Sequence, residues 1–208
     1  MRRLVIATNN EGKLREFERL LDGCGFELVT PRQLGVAFDP EEKGSSYEEN
    51  ATIKALEAAR LTGLPALADD SGLEIDELGG RPGIFSARYA GGDRTDPGLS
   101  EMERCRIVLT ELVGVPEERR GARFRCVVVL ATPRGDLHSA DGQWEGRIAH
   151  EPRGEHGFGY DPIFIVADSG LTSAELTRSQ KDMISHRGQA LTKMREVLRK
   201  MADGDPSG

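Results

Sequence analysis

Four short stretches of the chain hold polar side chains that core packing does not require. In "LPALADDSGLEI" an apolar run meets two adjacent carboxylates, Asp69 and Asp70, followed by Ser71 and Gly72. Two readings compete. Asp, Ser and Gly favour turns for local backbone reasons, so the pair can be a solvated Asx turn at a strand end. Alternatively the carboxylates are hard oxygen ligands with a general base among them. Magnesium takes one or two carboxylates plus substrate phosphates and waters, and Glu41 or Glu42 from an earlier acidic loop can complete such a set. Successive strand residues face opposite ways, so the two aspartates should not act alike: one meets the site and the other braces it.

The second stretch, "TNNEGK", offers backbone N–H groups and asparagine side chains at the start of a helix, with Lys13 as a point charge for phosphate. It is not a Walker A loop, because the GxxxxGK[ST] spacing is missing and Leu14 follows the lysine. An ordinary capped helix with a surface lysine would look the same. The third, "GFGYDP", sets glycines either side of Phe158, whose ring can stack on a purine, and Asp161 can accept from a ring N–H. A tight turn with two core aromatics is the alternative. The fourth, "LTRSQKDMISHRGQAL", crowds Lys181, Ser185, His186 and Arg187 near the start of the final helix, the end where cations are badly placed. An anionic or carbonyl-rich ligand would compensate, while a solvated basic face is the competing account.

The elements that must position these residues follow from periodicity. The β-branched run over 3–8 reads as a buried strand that feeds the first loop and a helix carrying Leu14, Phe17, Leu20 and Leu21 on one face. A second strand is predicted over 26–30, then an acidic loop. Ser45 or Ser46 with Glu48 or Glu49 makes a capping box for a helix with Ala51, Ala55, Ala58 and Ala59 at helical spacing. The apolar run up to Asp69 is a strand with an acidic exit, and 78–96, rich in glycine, is a long functional loop. A helix over about 100–113, a central strand over 123–131, a turn at "TPRGD" and one or two shorter strands pairing antiparallel come next. The closing helix runs over about 186–201, and "ADGDPSG" reads as a frayed tail. The class is α/β with a mixed sheet.

The whole-chain figures narrow the function. At 208 residues, 38% hydrophobic and 30% charged, the chain suits one compact unit. A net charge of −7 argues against a nucleic-acid duplex as partner, since such binding rests on many phosphate neutralisations. A few cations focused in a cleft, or a divalent metal, still hold a small polyanion. No apolar stretch approaches the ~20 residues that cross a bilayer, and the first strand is too short for a signal-peptide core, so a cytoplasmic protein without a membrane partner is expected. Cys24, Cys105 and Cys126 are far apart and odd in number, which indicates neither a disulfide framework nor a cysteine zinc site.

"ATNNEGKLREF", "ADDSGLEIDELGGRPGIFSARYAG", "GFGYDPIF" and "SHRGQAL" together resemble the non-canonical purine nucleoside triphosphate pyrophosphatase family, the inosine/xanthosine triphosphatases. The blocks occur in family order from Ala7 to Leu191. The resemblance implies an elongated two-lobed α/β fold, with a central twisted mixed β-sheet flanked by helices and an active-site cleft between lobes. It implies one catalytic domain over 1–201 with a flexible tail over 202–208, and a homodimer. It further implies magnesium-dependent hydrolysis of ITP, dITP and XTP to the monophosphate and pyrophosphate. Matched position by position, Thr8, Asn9, Asn10 and Lys13 correspond to the triphosphate loop. Asp70 corresponds to the proton acceptor and a Mg²⁺ ligand, and Glu41, three residues before Gly44, to the other ligand. Ser71, Phe158, Gly159, Tyr160, Asp161, Lys181, His186 and Arg187 correspond to substrate contacts. One departure is Asn9, where bacterial relatives commonly carry glycine; asparagine is the residue that next best tolerates a left-handed backbone.

Overall fold

The computed structural model describes residues 2–89, 98–167 and 169–203. Its strands are β1 (Arg2–Ile6), β2 (Phe26–Val29), β3 (Ala66–Ile75), β4 (Gly121–Ala131), β5 (Leu137–Ile148) and β6 (Phe164–Val166). Its α-helices are α1 (Glu11–Leu20), α2 (Tyr47–Thr62), α3 (Glu101–Glu111), α4 (Arg178–Ile184) and α5 (His186–Asp203). The strands form one sheet in the order β2-β1-β3-β4-β5-β6. β1 runs parallel to both β2 and β3, and β5 runs antiparallel to β6. β4 and β5 are neighbours joined by the turn at 132–136, closed by the Thr132 N–H donating to the Asp136 carbonyl at 3.0 Å, a connection short enough only for antiparallel strands. The sheet is therefore mixed, as the sequence implied.

The described residues fall into two compact units. One takes those through Asp70, those of Cys126–Gly142 and those from His186 onward; the other takes those of Ser71–Arg125 and Gln143–Ser185. In the first unit, Leu4 and Ile6 of β1, Leu67 of β3 and Cys126, Val128 and Leu130 of β4 share a core with Phe17 and Leu21 of α1 and Leu191, Met194 and Leu198 of α5. Val5, Ala66 and Ala68 face the other way by strand alternation, toward the side where α2 approaches β1. Ser46 caps α2, its hydroxyl accepting the Glu49 N–H at 3.2 Å, while the Glu49 carboxylate reaches back to Ser45, so the expected capping box is split between two serines. The small alanine face of α2 lets that helix lie close to the sheet.

The second unit has its own core, in which Leu73 and Ile75 of β3, Cys105, Val108 and Leu112 of α3, and Phe124, Trp144 and Phe164 pack together. Phe164 lies 4.6 Å from Phe124 and 5.3 Å from Trp144, ring centre to ring centre, in tilted arrangements that favour aromatic contact.

Three elements differ from the sequence reading. β3 does not exit at the acidic pair but runs on through Asp69, Asp70, Ser71 and Gly72 to Ile75. The one or two shorter strands expected after the turn are a single, longer strand of 12 residues, β5. Lys181 sits in a separate short helix, α4, ended by Ser185, and α5 begins afresh at His186. The expected long loop is described only as far as residue 89 and includes a 3-10 segment at Gly83–Arg88; 90–96 lie outside the described residues. α5 extends to Asp203, and the rest of the expected tail, 204–208, also lies outside them.

Candidate active site

In the first unit, the polar residues after β1 shape the start of α1. The Asn10 side chain is its N-cap, accepting the Lys13 N–H at 2.9 Å, and the Thr8 hydroxyl accepts the Asn10 N–H at 3.1 Å. Asn9 donates its amide to the Phe38 carbonyl at 2.8 Å, which ties this loop to the acidic one. One turn into the helix, Lys13 Nζ stands 3.1 Å from Asp69 Oδ2. That same oxygen accepts Arg187 Nε at 3.2 Å and Nη2 at 2.8 Å, and the other side of the guanidinium pairs with Glu16. Asp69 and Arg187 are both almost completely buried. Burial alone would raise the Asp69 pKa, but Arg187, Lys13 and Lys54 together overrule it and hold the carboxyl well below the usual carboxylate range. The Arg187 guanidinium, opposed by burial but facing Asp69 and Glu16, stays firmly charged.

Asp70 faces the other side of β3 and meets α2. Its Oδ1 is 3.2 Å from Lys54 Nζ, which also reaches Glu42 at 2.8 Å, and its Oδ2 accepts the Asn50 amide at 3.2 Å. Here burial has the upper hand. It pushes the Asp70 pKa up, and the attraction of Lys54 and Lys13 does not cancel it. Lys54, also penalised by burial, is held charged by Asp70, Asp69 and Glu42 together. Glu41 is more exposed and pairs with Lys43 at 2.7 Å, so Glu42 is the acid that shares a cation with Asp70. Among the described residues no three Asp, Glu, His or Cys side chains converge as a ready cage. The donor chemistry nevertheless fits magnesium, which prefers a couple of carboxylates completed by phosphates and water.

In the second unit, Asp161 organises the "GFGYDP" segment. Its Oδ2 accepts the Phe158 N–H at 2.9 Å and Lys181 Nζ at 2.5 Å, and its Oδ1 accepts the buried Ser173 hydroxyl at 2.8 Å. Lys181 is thereby held 4.8 Å from the centre of the Phe158 ring. Gly157, at φ 80°, leaves the space this carboxylate needs: a Cβ there would sit 1.9 Å from Asp161 Oδ2. Tyr160 is a core residue, its hydroxyl donating to the Ser86 carbonyl at 2.9 Å. Gly159 adopts a left-handed φ of 64° and its carbonyl meets the Cys105 thiol at 3.4 Å. Ser71, half-buried, follows Asp70 along β3.

The structure thus brings Lys13, Asp69 and Arg187 into one charge network, Asp70, Lys54, Asn50 and Glu42 into a second, and Phe158, Asp161 and Lys181 into a third. Lys181 and Arg187, read together from the sequence, belong to different helices and different networks. Arg187 was expected among the substrate contacts; in the structure its guanidinium pairs with Asp69 and Glu16. His186 is buried beside it in the first turn of α5. Four functional candidates were missed: Glu16, Asn50, Lys54 and Ser173. Asn50 and Lys54 had a signal, because they fall on the alanine face of α2, where a polar residue needs a partner.

The Ham1 family profile matches residues 4–197. The chain is 51% identical over 201 residues to a dITP/XTP pyrophosphatase of Yersinia pseudotuberculosis, covering 96% of this chain and 99% of that protein. It is 46% identical over 198 residues to a dITP/XTP pyrophosphatase of Bacillus subtilis, covering 95% and 98%. Among solved structures, a HAM1 protein from Coxiella burnetii superposes with a TM-score of 0.85 at 44% identity, over 96% of this chain and all of that one (100%).

Proposed function

The chain belongs to the Ham1 family, and from that membership we propose that it hydrolyses dITP, XTP and ITP to the nucleoside monophosphate and pyrophosphate, clearing deaminated purines from the nucleotide pool. The observation that carries the chemistry is the opposite setting of two neighbouring carboxylates. Asp69, ion-paired with Arg187 and Lys13, acts as a support; Asp70, on the other face of β3 and held by Lys54 and Asn50, is the carboxylate placed to serve as general base. Asp70 takes a proton from the attacking water, a new bond forms from that water to the α-phosphorus, and the bond to the pyrophosphate oxygen breaks. Lys13 offsets charge on the phosphate chain, and the N-terminus of α1 adds the favourable end of a helix dipole.

Asp70 and Glu41 are the residues that would hold Mg²⁺, the fit resting on their hard oxygen donors. Bound there, the ion supplies neutralisation of phosphate oxygens. The base falls to the third network. Phe158 offers a stacking face, and the Lys181 ammonium, oriented by Asp161, donates to the C6 carbonyl of hypoxanthine or xanthine. Adenine presents an amino group at that position, so donor would face donor, a mismatch that reaches ~10⁴-fold in discrimination.

Release of pyrophosphate from dITP, XTP, ITP, GTP and ATP, with and without Mg²⁺, tests the reading. The expected pattern is strong hydrolysis of the first three with Mg²⁺ and weak hydrolysis of ATP, with Asp70→Asn lowering kcat by at least ~10²-fold. Equal kcat/KM for ATP and ITP would remove the base assignment, and near wild-type kcat in Asp70→Asn would remove the base role. The proposal includes a homodimer in the cytoplasm, as the family resemblance implies; a monomer mass by light scattering, or membrane-bound protein on cell fractionation, would overturn those parts.

A further inference from the structure

Asn50 is completely buried in α2, and the two ends of its carboxamide face different parts of the chain. Oδ1 accepts the Gly44 N–H at 2.9 Å, at the end of the loop that holds Glu41 and Glu42. Nδ2 donates to Asp70 Oδ2 at 3.2 Å. The orientation of the amide is fixed by chemistry, since a backbone N–H needs an acceptor and a carboxylate needs a donor. Among side chains of this length only asparagine offers both. Aspartate would present a second carboxylate to Asp70, and an apolar residue would leave a buried N–H without its acceptor.

The loop also reaches this amide closely. A Cβ on Gly44 would lie 2.7 Å from Asn50 Oδ1 and 2.9 Å from the Asn50 backbone nitrogen, so residue 44 has room only as glycine. We propose that Asn50 is a positioning residue: through one carboxamide it fixes the acidic loop at Gly44 to the carboxylate of Asp70, and so sets the separation of the two acids that share the metal. This rests on the reading of Glu41 and Asp70 as metal ligands. The oxygen of Asp70 not bound by Asn50 is held by Lys54, which also grips Glu42, so the loop is tied to Asp70 at two points. Asn50 supplies the rigid one, since a buried amide has far less freedom than a lysine stem.

The test uses the full chain and two variants, Asn50→Leu, with the same branching and number of side-chain heavy atoms but without either hydrogen bond, and Gly44→Ala, which moves the loop while leaving the amide in place. Two quantities are read: the Mg²⁺ concentration for half-maximal dITP hydrolysis, and the Mn²⁺ dissociation constant by electron paramagnetic resonance with an uncleavable α,β-imido dITP bound. Loss of a partner that orients a metal ligand weakens metal binding by ~10-fold or more, so both quantities should rise about that much in Asn50→Leu and in the same direction in Gly44→Ala. The KM for dITP at saturating metal should stay near wild type, a split that a general loss of fold would not give. Asp70→Asn and Glu41→Gln serve as references. If they leave the Mn²⁺ constant unchanged, the ligand assignment falls and the positioning role with it. If they weaken it while Asn50→Leu and Gly44→Ala do not, the positioning role alone is overturned.

Discussion

At Asp69 a buried carboxylate meets three cations, Arg187, Lys13 and Lys54, and its pKa is depressed although burial works the other way. The sign of the consequence for stability is set by that direction. A depressed folded pKa contributes stability that is fully present above the ordinary value of ~3.9 and is lost as the pH falls through it toward the lower folded one. At pH 7, Asp69→Asn should therefore destabilise by roughly 3–5 kcal/mol, because it removes the buried carboxylate that Arg187 and Lys13 share. The gap between wild type and variant should narrow below about pH 4. Urea midpoints at pH 7 and pH 3 in metal-free buffer measure it; an equal gap at both would contradict the charge account. Much of the residue scale was readable beforehand. Strand alternation predicted that Asp69 and Asp70 would differ, and the capping potential of Asn10 was visible in "TNNEGK". The partners were not, because Arg187 is 118 residues from Asp69 along the chain and local pattern carries no information at that range.

The elements show where local preference yields to tertiary context. "DDSG" has the composition of a turn, yet it continues as strand in β3, between β1 and β4. Acid side chains leave a turn for a buried strand only if cations wait on both faces, and here α1 and α5 supply them to Asp69 while α2 supplies one to Asp70. The separation of α4 from α5 was hidden because the capping box of Thr177 and Gln180 is followed so soon by the C-cap, where the Ser185 N–H donates to the Lys181 carbonyl, leaving a helix of 7 residues. Another element-level device, absent from the sequence reading, is Arg120. It is buried without a carboxylate partner in its hydrogen bonds, and burial lowers its pKa. Its guanidinium donates to the carbonyls of Leu112 and Val115 after α3 and to those of Ile148 and Ala149 at the end of β5. These carbonyls have the partial negative charge of a helix C-terminus and a strand end, and a planar fork reaches them where an ammonium cannot. Arg120→Met should cost about 3 kcal/mol, by leaving buried acceptors unmet, and Arg120→Lys should recover little of it. Differential scanning calorimetry reads this as a fall of roughly 6–12 °C in Tm; an unchanged Tm would refute the clamp.

For the whole molecule, the path of the chain bears on whether the two compact units unfold together. The passage from one to the other occurs at 70/71, 125/126 and 142/143, inside β3, β4 and β5, and again at 185/186. Neither unit is a continuous stretch of sequence. The core of the first draws on β1, β2, β3, β4, α1 and α5, with Ala140 of β5 packed against it, and that of the second on β3, β4, β5, β6 and α3, so each strand that crosses carries side chains for both. Melting one core while keeping the other would require β3, β4 and β5 each to fray to mid-strand and stop there, breaking a hydrogen-bonded ladder without releasing the entropy of the remaining half. We therefore propose that residues 1–201 behave as one cooperative domain, with calorimetric and van't Hoff enthalpies equal. Asp69→Asn lies in the first unit and Arg120→Met in the second. Both should move a single transition, and the double variant should lower it by close to the sum of the two, since the sites share no partner. Two resolved transitions, each shifted by only one of the substitutions, would show that the units melt independently and that the crossing strands do not couple them.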